Sequence, residues 1–399
     1  MILNNMRDYF KENVTASLGG MASLIVFMGL GRFAYTPIIP YMQTGAGMSD
    51  TLAGAIASSN YLGYLLGTLV FIFFNKMRYI LFVISLAAIA VSSAAMGFTS
   101  SPLLWHLLRF IAGFGCAAGF ILSTAMLFDY LAGRNAVRYM GWHYSGVGTG
   151  IAISGVIVPV FGMVGGWEGA WIMTGITAGI ISIGAVFWIK SSPEYMSKKN
   201  DSIADSTEFK RKKEFWLLSI AYFMEGFGYV IIGTFMVAAA QNYLGESGVS
   251  YIGWIVVGIF AAPSTIFWFY VAGKTGFPTA LIYAYTVQLA GLILFVSLQN
   301  TIAVFITAIT FGGTFMGIVS MSVTFGKELW VERSTQAVAI LTTFFSVGQI
   351  IGPFVAGFLS DVYNSFTYPL LLSCGALLFG LIFLLYLKKA GGNYAVCKY

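Results

Sequence analysis

Residues 28–33 read Met28-Gly29-Leu30-Gly31-Arg32-Phe33, and residues 225–230 read Glu225-Gly226-Phe227-Gly228-Tyr229-Val230. The two stretches lie 197 positions apart, share the same glycine spacing, and sit inside long apolar runs. One stretch carries an arginine and the other a glutamate. Together they predict a membrane unit that has been duplicated, with one deeply placed charge in each copy.

The composition excludes a soluble protein. Hydrophobic residues make up 58% of the 399 positions and charged residues only 9%, whereas a soluble domain carries about 25% charged residues. A membrane span needs ~20 apolar residues, and twelve spans with short loops use the whole chain. The predicted spans are 16–43, 50–74, 78–98, 101–131, 136–163, 167–190, 215–243, 249–272, 276–298, 301–328, 335–361 and 365–389.

Further repeated pairs support the duplication. Ala53-Gly54 parallels Ile252-Gly253, Gly115-x-x-x-Gly119 parallels Gly313-x-x-x-Gly317, and Val147-Gly148 parallels Val347-Gly348, with offsets between 198 and 200. We therefore predict an all-α membrane protein with twelve transmembrane helices in two pseudo-symmetric halves of six. The N-terminal half covers residues 1–190, a cytoplasmic linker covers 191–214, and the C-terminal half covers 215–399. In transporters built from such parallel repeats the substrate binds near the midplane, between the halves.

The basic residues predict the orientation. Of the 21 lysines and arginines, all but Arg32 and Arg109 fall at the termini or in every second loop. Basic loops stay on the cytoplasmic side, so both termini are expected in the cytoplasm, with the protein in the cytoplasmic (inner) membrane. The net charge of +6 thus reflects these loops, which suit anionic lipid, and nucleic acid is not an expected partner.

No cofactor or metal is expected. Cys116 and Cys374 lie in apolar spans and Cys397 in the tail, so a structural disulfide is not indicated. The glycines of Gly29-x-Gly31 and Gly113-x-Gly115 lie within spans rather than at a strand-to-helix turn, which favours close helix packing over nucleotide binding. We expect a monomer.

Several motifs resemble those of the major facilitator superfamily, over essentially the whole chain. Gly29 to Pro37, Ser59 to Gly67 and Glu225 to Tyr229 are similar to the bacterial YbfB/YjiJ-type subgroup. Arg109-Phe110-Ile111-Ala112-Gly113-Phe114-Gly115 is similar to the fourth-helix motif R-x-x-x-G-x-G, whose arginine is associated with proton transfer in proton-coupled members. Gly348-Gln349-Ile350-Ile351-Gly352-Pro353 resembles the Gly-Pro motif of drug antiporters, although that motif normally lies in the fifth helix. The resemblance implies a transporter.

The loop after the second span departs from the superfamily pattern G-x-x-x-D-R-x-G-R-R. This chain has Gly67 and then Asn75-Lys76-Met77-Arg78, with neither the acidic residue nor the second glycine in register.

Arg32 and Glu225 are the principal candidates for function. A charged side chain at the centre of a span costs at least roughly 2.5–3.5 kcal/mol, so it normally faces a cavity or a partner. The guanidinium of Arg32 suits a carboxylate, phosphate or sulfonate, although a structural role bonded to carbonyls is the alternative. Glu225 corresponds by the repeat to Met28, which on an α-helix shares a face with Arg32. We therefore expect Glu225 and Arg32 to line one central cavity and to interact directly or through substrate, with proton exchange at Glu225; a fixed structural ion pair is the alternative.

The other candidates have weaker signals. Asn60 and Gln349 offer amides to a substrate or to neighbouring helices. Tyr35 and Tyr229 offer phenols near Arg32, with ordinary packing between helices as the alternative. Arg109 and His143 are candidates for proton coupling, and for both the alternative is packing between helices. The predicted substrate-binding residues are Arg32, Tyr35, Asn60, Glu225, Tyr229 and Gln349, and the predicted proton-coupling residues are Glu225, Arg109 and His143.

The predicted function is secondary active transport of a small organic solute, anionic or zwitterionic, by alternating access and with proton coupling. Efflux of a drug or metabolite by antiport is an alternative within the same class. A non-transporting membrane sensor and a membrane-embedded enzyme are alternatives from other classes; the enzyme is disfavoured because the two histidines, His106 and His143, lie on separate spans.

Overall fold

The computed structural model describes residues 2–71, 77–190, 211–245 and 248–391, and the regular elements in these ranges are all helical. Backbone groups in lipid must be satisfied within their own segment, which is why apolar runs of this length become helices. Of the predicted linker, residues 191–214, the structure describes only the part from residue 211. Cys397 lies outside the described residues.

Helix bounds agree with the predicted spans to within a few residues, with two exceptions: the first helix begins at Ile2, and the predicted spans 136–163 and 167–190 form one interrupted helix. A π-helical segment, Ile25–Phe33, joins α1 to α2. The helices are α1 Ile2–Leu24, α2 Tyr35–Ala46, α3 Asp50–Phe71, α4 Arg78–Met96, α5 Pro102–Ala132, α6 Met140–Trp188, α7 Lys212–Leu244, α8 Val249–Thr275, α9 Phe277–Leu298, α10 Thr301–Leu329, α11 Ser334–Tyr363 and α12 Thr367–Gly391.

Ten helices of the described residues are long and apolar enough to cross a membrane. Two features qualify that number. The helix α6 is interrupted at Gly165 and Gly166, where the backbone leaves the helical region and Gly166 has φ +63°. The helix α3, with 22 residues, is not among the ten. The chain is therefore a multi-pass membrane protein.

The helices pack in two sequential groups, which we call the N-terminal group (residues 2–190) and the C-terminal group (residues 211–391). In the first, α3 packs on α5 and α4 on both α5 and α6. In the second, α7 packs on α11 and α12, and α10 on α8 and α9. The groups meet where α3 contacts α11, α6 contacts α8, and α2 contacts α7.

One end of the bundle, which we call the basic-free end, has no lysine or arginine in its connections at 47–49, 97–101, 164–166, 245–248, 299–300 and 364–366. Here the two groups are bonded tightly. The Asp361 carboxylate accepts the backbone N–H groups of Asp50 and Thr51 at 3.0 and 2.8 Å, and Ser360 donates to the Asp50 carboxylate at 2.6 Å. The carboxylate of α11 thus caps the first turn of α3, as an N-cap residue does within one helix.

Glycine lets the same two helices approach each other. A Cβ atom at Gly54 would lie 2.0 Å from the carbonyl oxygen of Pro353, and one at Gly357 would lie 2.0 Å from that of Asp50. Ser58 donates to the carbonyl of Ile350 at 2.6 Å, which extends the contact toward the centre of the bundle.

The opposite end, the basic end, carries ion pairs within the N-terminal group. Arg78 pairs with Asp129 at 2.8 Å, which joins α4 to α5, and Arg134 pairs with Glu12 at 2.7 Å. Although the loop lacks the acidic residue of the superfamily motif, Arg78 has a carboxylate partner from another helix.

Candidate functional site

The π-helical segment places Arg32 at the centre of the first long helix. The backbone N–H of Ala34 donates to the carbonyl of Gly29 five residues earlier, at 2.9 Å. Single π turns inside α-helices occur frequently at functional sites. Pro37 follows within one turn and cannot donate a backbone N–H, so carbonyls in this region are open to side-chain donors.

Arg109 of α5 supplies those donors. Its guanidinium donates to the carbonyl oxygens of Gly31 at 2.8 Å and Arg32 at 3.2 Å. Its cation also lies over the rings of Tyr35, at 5.0 Å, and Trp171, at 5.5 Å. Arg109 is 2% exposed and therefore acts on the backbone that presents Arg32, as the structural alternative expected.

The Arg32 side chain points toward the junction of the two groups. Its guanidinium carbon lies 4.5 Å from the ring centre of Tyr61 and 4.8 Å from that of Tyr64, both on α3. One of its terminal nitrogens donates to the hydroxyl of Tyr229 on α7 at 3.3 Å. The cation is thus held by aromatic rings of one group and a phenol of the other.

Tyr229 is fixed in turn by the C-terminal group. Its hydroxyl also accepts a hydrogen bond from the Gln349 amide of α11. Its ring stacks on Phe345 at 5.4 Å and on Phe315 at 6.0 Å, with interplanar angles of 9° and 6°. The structure therefore brings three of the predicted residues, Arg32, Tyr229 and Gln349, into one connected arrangement.

Arg32 has no carboxylate partner among the described residues. The ion pairs found there are Arg78 with Asp129 and Arg134 with Glu12. Arg32 is only 5% exposed, and its Nε makes no hydrogen bond. A buried charge without a counter-ion is costly, and here aromatic rings and one phenol are the groups that surround the cation.

Three tyrosine hydroxyls near Arg32 also have no hydrogen-bond partner among the described residues. The hydroxyls of Tyr61, Tyr64 and Tyr222 make no hydrogen bond within the described part of the chain. They are also absent from its completely buried polar atoms that lack a partner. Tyr222 interacts electrostatically with both Arg32 and Tyr64. These hydroxyl oxygens are therefore not completely enclosed by protein atoms.

Glu225 is hydrogen-bonded within the C-terminal group. It is fully buried, its Oε1 accepts from the Gln288 amide of α9 at 3.0 Å, and Gln288 accepts from Thr314 of α10 at 2.8 Å. Its Oε2 has no partner. Glu225 and Arg32 form no ion pair in this conformation, although both interact electrostatically with Tyr222 and Tyr229. That the two charges line one cavity stays a prediction.

The remaining candidates join helices. Tyr35 donates to the carbonyl of Ala53 at 3.0 Å, and Asn60 donates to the carbonyl of Arg109 at 2.9 Å. His143 Nε2 lies 3.0 Å from the Thr124 hydroxyl. Each matches the packing alternative given for Asn60, Tyr35 and His143, and none contacts Arg32 through its side chain.

Sequence reasoning missed Tyr61, Tyr64, Tyr222, Gln288 and Thr314. A signal existed for the first two, because Tyr61 and Tyr64 are three apart on one helix and therefore share a face. For Gln288 the signal was an amide within an otherwise apolar span. Tyr222 and Thr314 had none, since such residues are common in spans.

A cavity of 260 Å³ opens near the basic-free end, between the two groups. Its described lining residues are uncharged, and Arg32 and Glu225 are not among them. Its lining residues are Pro40, Tyr41, Thr44, Met163, Gln241, Gly248 and Tyr251.

A multi-helix membrane bundle with a buried, uncompensated cation between two packed groups has the architecture of a solute transporter. The chain belongs to the family described as "Uncharacterised MFS-type transporter YbfB", whose model matches residues 24–385. This confirms the resemblance to the major facilitator superfamily. The family is one of transporters and not of enzymes, and it implies a small-molecule substrate and a membrane environment.

Solved structures share the fold. A point mutant of the nucleoside transporter NupG superposes with a TM-score of 0.75 at 14% identity, covering 94% of this chain and 100% of that one. A bacterial homologue of the human lysosomal transporter Spinster, in an inward-facing and occupied conformation, gives 0.72 at 14% identity, covering 94% and 96%. No curated protein matches the chain in sequence.

Proposed function

We propose that the chain is a twelve-span secondary active transporter with two six-helix halves, residues 1–190 and 215–399, joined by a linker at 191–214. Counting α6 as two crossings at its Gly165-Gly166 break, and adding α3, brings the ten apolar helices to twelve. Two hydrogen bonds support pseudo-twofold symmetry. Arg32 contacts Tyr229 and Thr36 contacts the carbonyl of Gly233, each at the repeat offset of 197, and a residue reaches its own repeat partner only beside the symmetry axis.

The positive-inside rule places the basic end in the cytoplasm, which puts the basic-free end outside and both termini inside a bacterial cytoplasmic membrane. The bonds of Asp361 to the first turn of α3 then close the outer side. Alternating access requires these bonds to break when the outer side opens.

The substrate is a small organic anion or zwitterion that binds at Arg32, between Tyr229 and the tyrosines of α3. One observation carries this proposal: Arg32 is buried at the junction of the two groups, with no carboxylate partner among the described residues. A ligand that neutralises it would contact both halves at once, which is what a transporter site at the midplane requires.

Protons drive the transport through Glu225. This carboxyl is fully buried and its neighbours Gln288 and Thr314 are uncharged, so the neutral acid is the form that this environment tolerates best. Opening the structure would admit water and release the proton. Arg109 and His143, which bond to other helices, serve packing in this mechanism.

Proteoliposomes loaded with solute and given an imposed proton gradient test the proposal. We expect gradient-driven accumulation in wild type, and in Glu225→Gln we expect loss of that accumulation with solute exchange retained. Glu214→Gln, at the first turn of the same helix, is the matched control. Unaltered gradient-driven transport by Glu225→Gln would remove Glu225 from coupling, and the direction of the gradient that drives net flux separates uptake from efflux.

A further inference from the structure

We infer that the Arg32 site takes an organic acid with a single negative charge and an apolar body, rather than a zwitterion or a dianion. The inference rests on the proposed function and narrows its substrate class.

The first step is the number of positive charges at the site. Arg32 and Arg109 both lack a carboxylate partner among the described residues, but only Arg32 has a guanidinium that is not bonded to backbone carbonyls. Arg109 is turned toward the carbonyls of Gly31 and Arg32 and is engaged with them. The other described lysines and arginines lie at helix ends or in connections. A second negative charge on the ligand would therefore meet only phenols and aromatic rings.

The second step concerns an amino group on the ligand. A zwitterion needs an anionic partner for its ammonium within reach of Arg32. Glu225 interacts electrostatically with Tyr222 and Tyr229, but under the proposed function it is the neutral acid in this conformation and so offers no negative charge to an ammonium. An ammonium placed beside the guanidinium would instead add charge repulsion in a medium of low dielectric constant.

The third step is the match between donors and acceptors. A carboxylate offers about four lone-pair sites to donors. Around Arg32 the free hydroxyls of Tyr61, Tyr64 and Tyr222 can donate to it, along with the guanidinium edge. The faces of the guanidinium are covered by the rings of Tyr61 and Tyr64, so an anion approaches from the edge, where charge-assisted bonds form.

The fourth step is the remainder of the ligand. Aromatic rings continue from Tyr222 to Phe345 at 4.3 Å, and from Phe345 to Tyr229 at 5.4 Å, in nearly parallel stacks. Such rings favour an apolar or planar body next to the bound carboxylate.

Matched solutes on one carbon skeleton test the inference with the purified full-length chain. Benzoate carries one negative charge, phthalate two, 4-(aminomethyl)benzoate is a zwitterion, and benzamide is neutral; cyclohexane analogues form a second series. Binding is measured by calorimetry and by the shift in melting temperature. We expect the monoanion to bind at least about tenfold more tightly than the other members of its series, in line with one charge-assisted contact.

Variants assign the effect to Arg32. Arg32→Ala should weaken binding of the monoanion by about tenfold or more, and Tyr64→Phe by a smaller factor. The control Lys274→Ala removes one positive charge from an exposed position at the end of α8 and should leave binding unchanged.

Tighter binding of the zwitterion or the dianion, or no binding of any monoanion, would overturn the inference. Arg32-dependent binding of a zwitterion would do so while leaving the proposed transporter intact. Failure of the transporter itself would appear separately, as the absence of gradient-driven accumulation of any bound solute.

Discussion

Arg32 and Arg109 are both buried arginines in the N-terminal group, yet their surroundings differ. Arg109 is bonded to two backbone carbonyls and covered by Tyr35 and Trp171. Arg32 has one long hydrogen bond to a phenol, and the Nε of both arginines is unpartnered. The difference teaches that depth in the membrane does not by itself identify a functional charge; what distinguishes the two is whether the protein already supplies the partners.

Replacing Arg109 should have the largest effect on stability. Arg109→Ala leaves the carbonyls of Gly31 and Arg32 without a donor and removes two charge-assisted bonds, so we expect a loss of about 3 kcal/mol in the free energy of unfolding. Thermal unfolding in detergent, followed by tryptophan fluorescence, measures it. Arg109→Lys, which keeps the charge but not the two-pronged geometry, should recover part of the loss. If Arg109→Ala melted at the wild-type temperature, the bonds of Arg109 to the two carbonyls would not contribute to stability, and the proposed difference from Arg32 would fail.

Replacing Arg32 should affect stability much less. Arg32→Ala removes an uncompensated charge together with cation–π contacts, and these terms oppose each other. We expect the free energy of unfolding to change by no more than about 1 kcal/mol, while the stabilisation by bound anion is lost. The same unfolding assay, with and without benzoate, measures both. If Arg32→Ala destabilised the protein as much as Arg109→Ala, the role of Arg32 would be structural.

Replacing Asn60 should have the smallest effect, and it tests whether Asn60 belongs with Arg109 or with Arg32. Its amide donates to the backbone carbonyl of Arg109 at 2.9 Å, and an interhelical hydrogen bond in a membrane is worth about 0.6 kcal/mol. Asn60→Ala should lower stability by that order and leave anion affinity unchanged. Weaker anion binding in this variant would instead return Asn60 to the substrate site, where the sequence had placed it.

Much of the fold was predictable because apolar runs have few alternatives in lipid. The start of α3, for example, follows from Asp50, which lies in the first turn of the helix. The multi-pass architecture and the transporter family were both predicted correctly. The twelve-span count and the two-halved symmetry stay predictions.

The site was predictable only in part. Arg32, Tyr229 and Gln349 could be selected because a deep charge and its repeat partner are visible in one sequence. The orientation of Glu225 could not be predicted, since it depends on Gln288, which is 63 residues away, and on Thr314. Nor could the π-helical segment, because its stability depends on Arg109 reaching carbonyls that the sequence does not show to be free.

The π-helical segment also bears on how the chain can tolerate insertions and deletions. A π turn holds one residue more than the α turn it replaces, so deleting one residue from Ile25–Phe33 could restore an ordinary α-helix. Because the extra residue is taken up within the wider turn, the deletion would leave α1 and α2 in nearly the same rotation relative to each other. It would also restore the α-helical hydrogen bonds and so occupy the carbonyls of Gly31 and Arg32 that Arg109 now reaches. A deletion in this segment would therefore preserve the helix packing and release Arg109, whereas the same deletion in a regular α-helix rotates the helix face by about 100°.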